Sequence, residues 1–297
     1  MIENVLYGGW ANCLRLFNRD VELVLTTDVG PRVIRYGFIG GQNVFKEFAD
    51  QMGWKHEPTW QPRGGHRIWI APEIVPDTYA LDNVPCRVSL FKPLDDAIEV
   101  TAPVEPKTGL EKAIGVHLSA SGVIVTHRIK NCGSHARTLA PWALSMMAPG
   151  GVGITKFPPR GTHPENLPPT NPLVMWAFTD LSDPRWTFTK KYLVLRQDPK
   201  NVSPQKLGLF NEKTLGAYLL RSDLFVKRCD ADASKTYPDF GASYETFTND
   251  GFLELETLGP LEEVAPGGMV EHVERWTLHR GVKIAEWTDA ELDRVLE

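Results

Sequence analysis

The sequence predicts an all-β protein, a large sandwich of mainly antiparallel strands closed by a short C-terminal helix. Three observations predict it. Well over ten short segments carry strand character, several with apolar residues on one face only, as expected for sheets buried on one side. The 297 residues include 25 glycines and 23 prolines, a share that suits many short elements joined by turns. Only one segment reads as a convincing helix.

In chain order, residues 21–26 alternate before a turn at 28–31, and 33–38 follow at hairpin distance. Segments 86–91, 97–101, 110–118 and 123–129 come next, separated by Pro, Gly, Asp and Ser. In 123–129, Val123, Val125, His127 and Ile129 share one face, and Thr126, Arg128 and Lys130 the other. Segments 139–147, 191–195, 215–220, 224–227, 244–248, 252–258 and 269–278 continue the series. Thr288 and Glu291 form a capping box that opens the helix at 288–297. Residues 157–172 hold six prolines and read as a long loop within one sandwich, of the kind that often serves function. No repeat of 20–50 residues stands out, which argues against a propeller or solenoid.

Hydrophobic residues make up 42% and charged residues 23%, which excludes a disordered chain. The net charge of −5, with no basic run, disfavours nucleic acid as a partner. No apolar run is long enough to span a membrane, no basic-then-apolar leader opens the chain, and Cys13, Cys86, Cys132 and Cys229 fit neither a disulfide framework nor a metal knuckle. The expectation is a cytoplasmic protein with reduced thiols and no membrane partner. No cofactor and no metal is expected, and the oligomeric state is left at monomer or homodimer.

Several motif matches fail. Residues 150–156 have glycines and a lysine without phosphate-loop spacing. Ser203-Pro204-Gln205-Lys206 matches a serine–lysine motif by letters only, in what reads as a proline-broken loop. His272 and His279, seven apart on one predicted strand, point to opposite faces.

Three constellations remain. In Arg63-Gly64-Gly65-His66-Arg67-Ile68-Trp69, two glycines permit a tight turn, and two guanidiniums with an imidazole can grip a polyhydroxylated or anionic ligand; solvated turn charges fit the same letters. In 252–258 the period of two puts Leu253 and Leu255 on the core face and Glu254 and Glu256 together on the other. Neighbouring carboxylates suit proton transfer, although an ordinary charged strand face reads the same way. Trp142, Trp176, Trp186 and Tyr237-Pro238-Asp239 offer flat faces for sugar rings, or simply core. His127 reads as a satisfied core histidine.

The residues Leu25-Thr26-Thr27-Asp28-Val29-Gly30-Pro31-Arg32-Val33 resemble the opening of galactose-mutarotase-like (aldose 1-epimerase) domains. So do Arg63-Gly64-Gly65 before a strand, Leu255-Glu256-Thr257 late in the chain, and Pro266-Gly267-Gly268 before the final strand. Ala140-Pro141-Trp142, the Tyr237 motif and 254–261 are similar to an uncharacterised bacterial branch of that superfamily. The resemblance spans the whole chain, 1–297, as one carbohydrate-binding domain, and implies a β-supersandwich with a sugar site on a concave sheet face. It implies Glu256 as the base that removes the anomeric proton and Arg63 as a sugar contact. The family's mid-chain histidine is replaced here by Leu139-Ala140-Pro141-Trp142-Ala143-Leu144-Ser145. Tryptophan is only a donor. His66 is therefore the candidate acid, with Arg67, Trp142, Tyr237, Asp239 and Glu254 as further substrate-binding residues.

These readings lead to a protein whose partner is a sugar or sugar derivative and whose activity is aldose 1-epimerase-like. The alternatives are a non-catalytic sugar-binding module, a divalent-metal site on Glu254, Glu256 and His66, and an interaction scaffold. Arg63, Arg67 and Arg160 leave a phosphorylated or acidic sugar open.

Overall fold

A computed structural model describes residues 1–90 and 97–297. In chain order the first strands are β1 (Ile2–Tyr7), β2 (Trp10–Phe17), β3 (Val21–Thr26), β4 (Arg32–Phe38), β5 (Gly65–Ala71), β6 (Arg87–Leu90) and β7 (Ala97–Thr101). Next come β8 (Leu110–Ser119), β9 (Gly122–Asn131), β10 (Arg137–Met147), β11 (Val152–Lys156), β12 (Leu173–Met175), β13 (Trp186–Phe188) and β14 (Tyr192–Arg196). The series closes with β15 (Gln205–Leu209), β16 (Lys213–Leu220), β17 (Asp223–Asp230), α1 (Pro238–Gly241), β18 (Tyr244–Thr248), β19 (Leu253–Leu258), β20 (Glu262–Val264), β21 (Met269–His279) and α2 (Asp289–Leu296).

Two antiparallel sheets result. The first runs β1-β2-β3-β4-β5-β10-β19-β18-β15-β12, with β20 attached to β10. The second runs β13-β14-β11-β16-β17-β21-β9-β8-β7-β6. Their inner faces share one large apolar core that joins, for example, Ile68 and Ile70 of β5, Leu253 and Leu255 of β19, and Val123, Val125 and Ile129 of β9. This is the predicted sandwich, and the alternation of β9 and β19 falls as read from the sequence.

Other elements differ from expectation. β1, β2, β11, β12 and β13 are additional strands, and Gln205–Leu209 is a paired strand rather than a proline-broken loop. Pro204 lies just before β15, where its missing N–H disrupts no ladder. The segment 157–172 is a loop as expected. The Thr288 hydroxyl accepts from the Glu291 N–H and opens α2, which packs on Tyr192, Leu215 and Val226. Phe91, the predicted end of one strand, lies outside the described residues. No helix among the described residues is long and apolar enough to cross a membrane.

Candidate functional site

The outer face of the first sheet forms the candidate site. Period-2 geometry sends Arg67 and Trp69 of β5, Trp142 and Leu144 of β10, Glu254 and Glu256 of β19, Glu245 and Phe247 of β18 and Lys206 of β15 to that face. Register then sets them side by side. Leu144 pairs with both Arg67 and Glu256, Glu256 with Glu245, Glu254 with Phe247, and Phe247 with Lys206. Trp60, Tyr79, Trp176, Phe178 and Phe252 rise around them and enclose a cleft of about 380 Å³.

Two charge groups floor this cleft. Arg67 donates to Glu254 at 3.1 Å and lies over the Trp69 ring at 4.3 Å. Lys206 bridges Glu245 at 2.7 Å and Glu256 at 3.1 Å, its ammonium held above the Trp142 and Trp176 rings. The Trp142 indole N–H donates to the same Glu256 oxygen at 2.9 Å. Burial raises the Glu254 carboxyl, Arg67 lowers it and Glu256 raises it again, leaving it at about 6. Glu245 is raised well above the carboxylate range, mainly by burial, against the opposing pull of Lys206. For Lys206, Glu256 and Glu245 together outweigh burial and hold the ammonium above its ordinary range.

Buried polar atoms around the cleft lack protein partners: Nε and Nη1 of Arg67, Nε1 of Trp60, Oε1 of Glu256 and Oε1 of Glu245. Such orphans are rare in folded proteins and call for a water or a ligand. Together with a wall of aromatic rings, the arrangement can stack a ring and hydrogen-bond its hydroxyls.

The structure separates the residues expected to act as base and acid. Ser145 of β10 pairs with His66 and Leu255, whereas the adjacent Leu144 pairs with Arg67 and Glu256. Glu256 therefore faces the cleft side of the sheet and His66 the space between sheets. A metal held by Glu254, Glu256 and His66 is ruled out by the same parity. Glu256 itself is fully buried below Trp142 and Lys206, while Glu254 lines the cleft.

Arg63 is also placed elsewhere than on a substrate. Its guanidinium is fully buried and bound to Glu57 at 2.7 Å and Asp82 at 2.8 Å; Arg32 takes the second Asp82 oxygen at 2.8 Å. The two glycines that follow are required by close backbone approach: with φ of +95°, a Cβ at Gly64 would lie 1.9 Å from the Lys46 carbonyl oxygen. Tyr237 is buried against Phe210, its hydroxyl accepting from the Asp232 N–H, and borders a separate depression. Asp239 is half-buried, near enough to Glu245 to help raise its carboxyl. Trp176 lines the cleft and Trp186 belongs to the core. Arg160 is exposed and lies over Phe157, outside the cleft.

A second polar group fills the space between the sheets. His66 Nδ1 is 2.8 Å from Ser145 Oγ, and its Nε2 is 2.6 Å from His127 Nε2. His127 Nδ1 is 2.9 Å from the His272 carbonyl oxygen, so that nitrogen carries the proton and Nε2 accepts from His66. Lys227 donates to Glu274 at 2.6 Å and to Ser145 Oγ, Ala143 O and Leu255 O. Glu274 also accepts from Trp276 and from Thr257, whose hydroxyl oxygen takes the His272 Nε2 proton. Every imidazole is neutral in this scheme. Burial is the main reason, holding His66 well below its ordinary range and His272 at about 3. Among the described residues, His66, His127 and Glu274 are the group whose ligand atoms converge, within 4.8 Å, as a metal would need. The Lys227 ammonium already neutralises that carboxylate, and the hydrogen bonds close without an ion. The core assignment of His127 thus holds, and His66 joins it.

Sequence reasoning missed Lys206, Lys227 and Glu274. Lys206 was hidden by the neighbouring Pro204, though the alternation of Lys206, Leu207, Gly208 and Leu209 was available. Lys227 sits at an inward position between Phe225 and Cys229, and Glu274 at one between His272 and Trp276, a signal of buried charge.

Compared by sequence, the chain matches no protein-family model and no curated protein. By structure, it is similar to a galactose mutarotase-like protein from Lactobacillus casei, with a TM-score of 0.58 and 12% identity over 90% of this chain and 100% of that one. A galactose mutarotase related enzyme from Lactobacillus acidophilus gives a TM-score of 0.58 at 8% identity, over 91% and 98% of the two chains. A galactose mutarotase-like protein from Clostridium acetobutylicum gives 0.56 at 11%, over 94% and 98%. The fold expected from the sequence resemblance is the fold observed.

Proposed function

With the mutarotase-like fold as premise, we propose that the cleft binds the ring of a neutral sugar and that its carboxylates interconvert the anomers of that sugar. The observation that carries this reading is the pairing of Arg67 with Glu254 and of Lys206 with Glu256 on the floor of an aromatic-walled cleft of about 380 Å³. Aromatic faces take the C–H faces of a pyranose, and the unpartnered Arg67 and Trp60 N–H groups supply donors for its hydroxyls. Arg67 and Lys206 are each paired with a carboxylate, so no positive charge is left over to select a phosphate or uronate.

In this reading Glu254, with a pKa of about 6 and contact with the cleft, accepts the anomeric hydroxyl proton and returns it after the ring has opened and reclosed. As the C1–O5 bond breaks, Lys206 on the cleft floor gives a proton to the ring oxygen and takes it back when the ring recloses. Glu256, tied to Trp142 and Lys206, holds that amine in place and favours the return of its proton. Polarimetry of freshly dissolved α-aldoses tests the proposal: wild type speeds relaxation on at least one sugar, and Glu254→Gln loses most of that rate. Equal relaxation with and without wild-type protein on every aldose would sink it.

A second reading, a sugar-binding module without turnover, is favoured by one observation: among the described residues, no histidine lines the cleft. It predicts saturable binding by calorimetry with no change in relaxation rate.

A further inference from the structure

A second cavity, of about 400 Å³, opens beside residues 80–84 and 102–107, and Trp69 borders both it and the cleft. Its walls include the apolar side chains of Pro31, Ile68, Leu81, Val84 and Val104, the acids Asp82 and Glu105, and two lysines, of which Lys107 is exposed at the rim and Lys112 is buried. Lys112 occupies an inward position of β8, in the same row as Leu110, Ile114 and Val116, which are core. It is only 9% exposed.

Lys112 differs from Lys227, the other inward lysine described above. Lys227 meets a carboxylate, a hydroxyl and two carbonyls. Lys112 has no ion-pair or hydrogen-bond partner among the described residues. Both acids that act on it are removed from direct contact: Asp82 has each oxygen bound by an arginine, and Glu105 forms no ion pair with it. Burial consequently brings the amine down to about 8. A buried ammonium without a counter-charge is costly to keep, and a charge-assisted bond to an anion offsets that cost.

We propose that this cavity binds a small apolar monocarboxylate, its hydrocarbon part against the apolar wall and its carboxylate on the Lys112 ammonium. The volume lies within the range of small-molecule sites. The inference stands on this cavity alone and does not depend on the sugar reading.

Calorimetric titration of the full-length protein with octanoate and with 1-octanol tests it. Octanoate is expected to bind saturably and at least tenfold more tightly than octanol, and Lys112→Met to abolish that preference. Absence of saturable octanoate binding, equal affinity for both probes, or a preference kept by Lys112→Met would each overturn the proposal. Should Lys112→Met fail to fold, the Lys112 Nζ resonance of selectively labelled wild type decides. A shift with octanoate and none with octanol supports the site; no octanoate shift overturns it.

Discussion

The Nε2 atoms of His66 and His127 lie 2.6 Å apart in the space between the two sheets, each imidazole fixed by a different partner on its other nitrogen. One proton serves that contact, donated by His66. His66, His127 and His272 all resist charging because burial disfavours the cation.

Unfolded imidazoles take up protons near 6.5 whereas the folded ones do not, so below that pH the unfolded state binds more protons and stability falls. For His272 the window runs from 6.5 down to about 3. Glu274, whose carboxyl is lowered chiefly by Lys227 against the cost of burial, adds to the loss below 4.5. Glu254, raised to about 6, works the other way between 6 and 4.5, and Glu245, raised well above its ordinary range by burial, does the same: two carboxyls against three histidines and Glu274. The melting temperature is expected to drop on acidification from pH 7 to pH 4. His272→Gln keeps a donor for Thr257 and removes one titration, so its melting temperature should fall less steeply. An unchanged slope would count against the neutral assignment.

Lys227 and Glu274 form a fully buried ion pair. Removing one member leaves an uncompensated charge, so Lys227→Met should destabilise by about 3–5 kcal/mol in urea denaturation. The double variant Lys227→Met with Glu274→Gln should lose less than the sum of the single losses. Additive losses would show that the two are not coupled.

The Trp142 indole N–H bonds to a carboxylate that is itself buried. Trp142→Phe keeps a ring and removes that donor, at an expected loss of about 1.5–3 kcal/mol. The same variant should weaken sugar binding, because Glu256 then leans more on Lys206. A loss of less than about 0.5 kcal/mol would mean that the bond does not form in solution.

If Glu254 accepts the anomeric proton, the rate of anomer relaxation should rise with pH through a midpoint near 6, the pKa of its carboxyl. Glu254→Gln should flatten that rise. A wild-type profile flat from pH 5 to pH 8 would remove Glu254 from the proton-transfer role while leaving binding open.

At Gly64, an alanine would drive its Cβ onto the Lys46 carbonyl oxygen at a backbone angle that disfavours any side chain. Gly64→Ala should cost well over about 1 kcal/mol, read by thermal melting. A neutral effect would mean that the turn relaxes readily.

Strand character and side-chain parity were legible in the sequence because alternation is local. Leu253 and Leu255 against Glu254 and Glu256, the inward row of β9, and the opposite faces of His272 and His279 all follow from a period of two. The family motifs pointed to the same sandwich. What parity could not say is which face of β5 meets which neighbour. Arg67 reaches Glu254 across 187 residues of chain and Lys206 reaches Glu256 across 50, contacts made by strand pairing rather than by proximity in sequence. The tertiary structure alone therefore put Arg67 in the cleft and His66 behind it, one residue apart on the same strand. It also turned Arg63 into a buried clamp on Asp82 and brought Lys227 and Glu274 together between the sheets. Local chemistry determines what each residue can do, and long-range pairing decides what it faces.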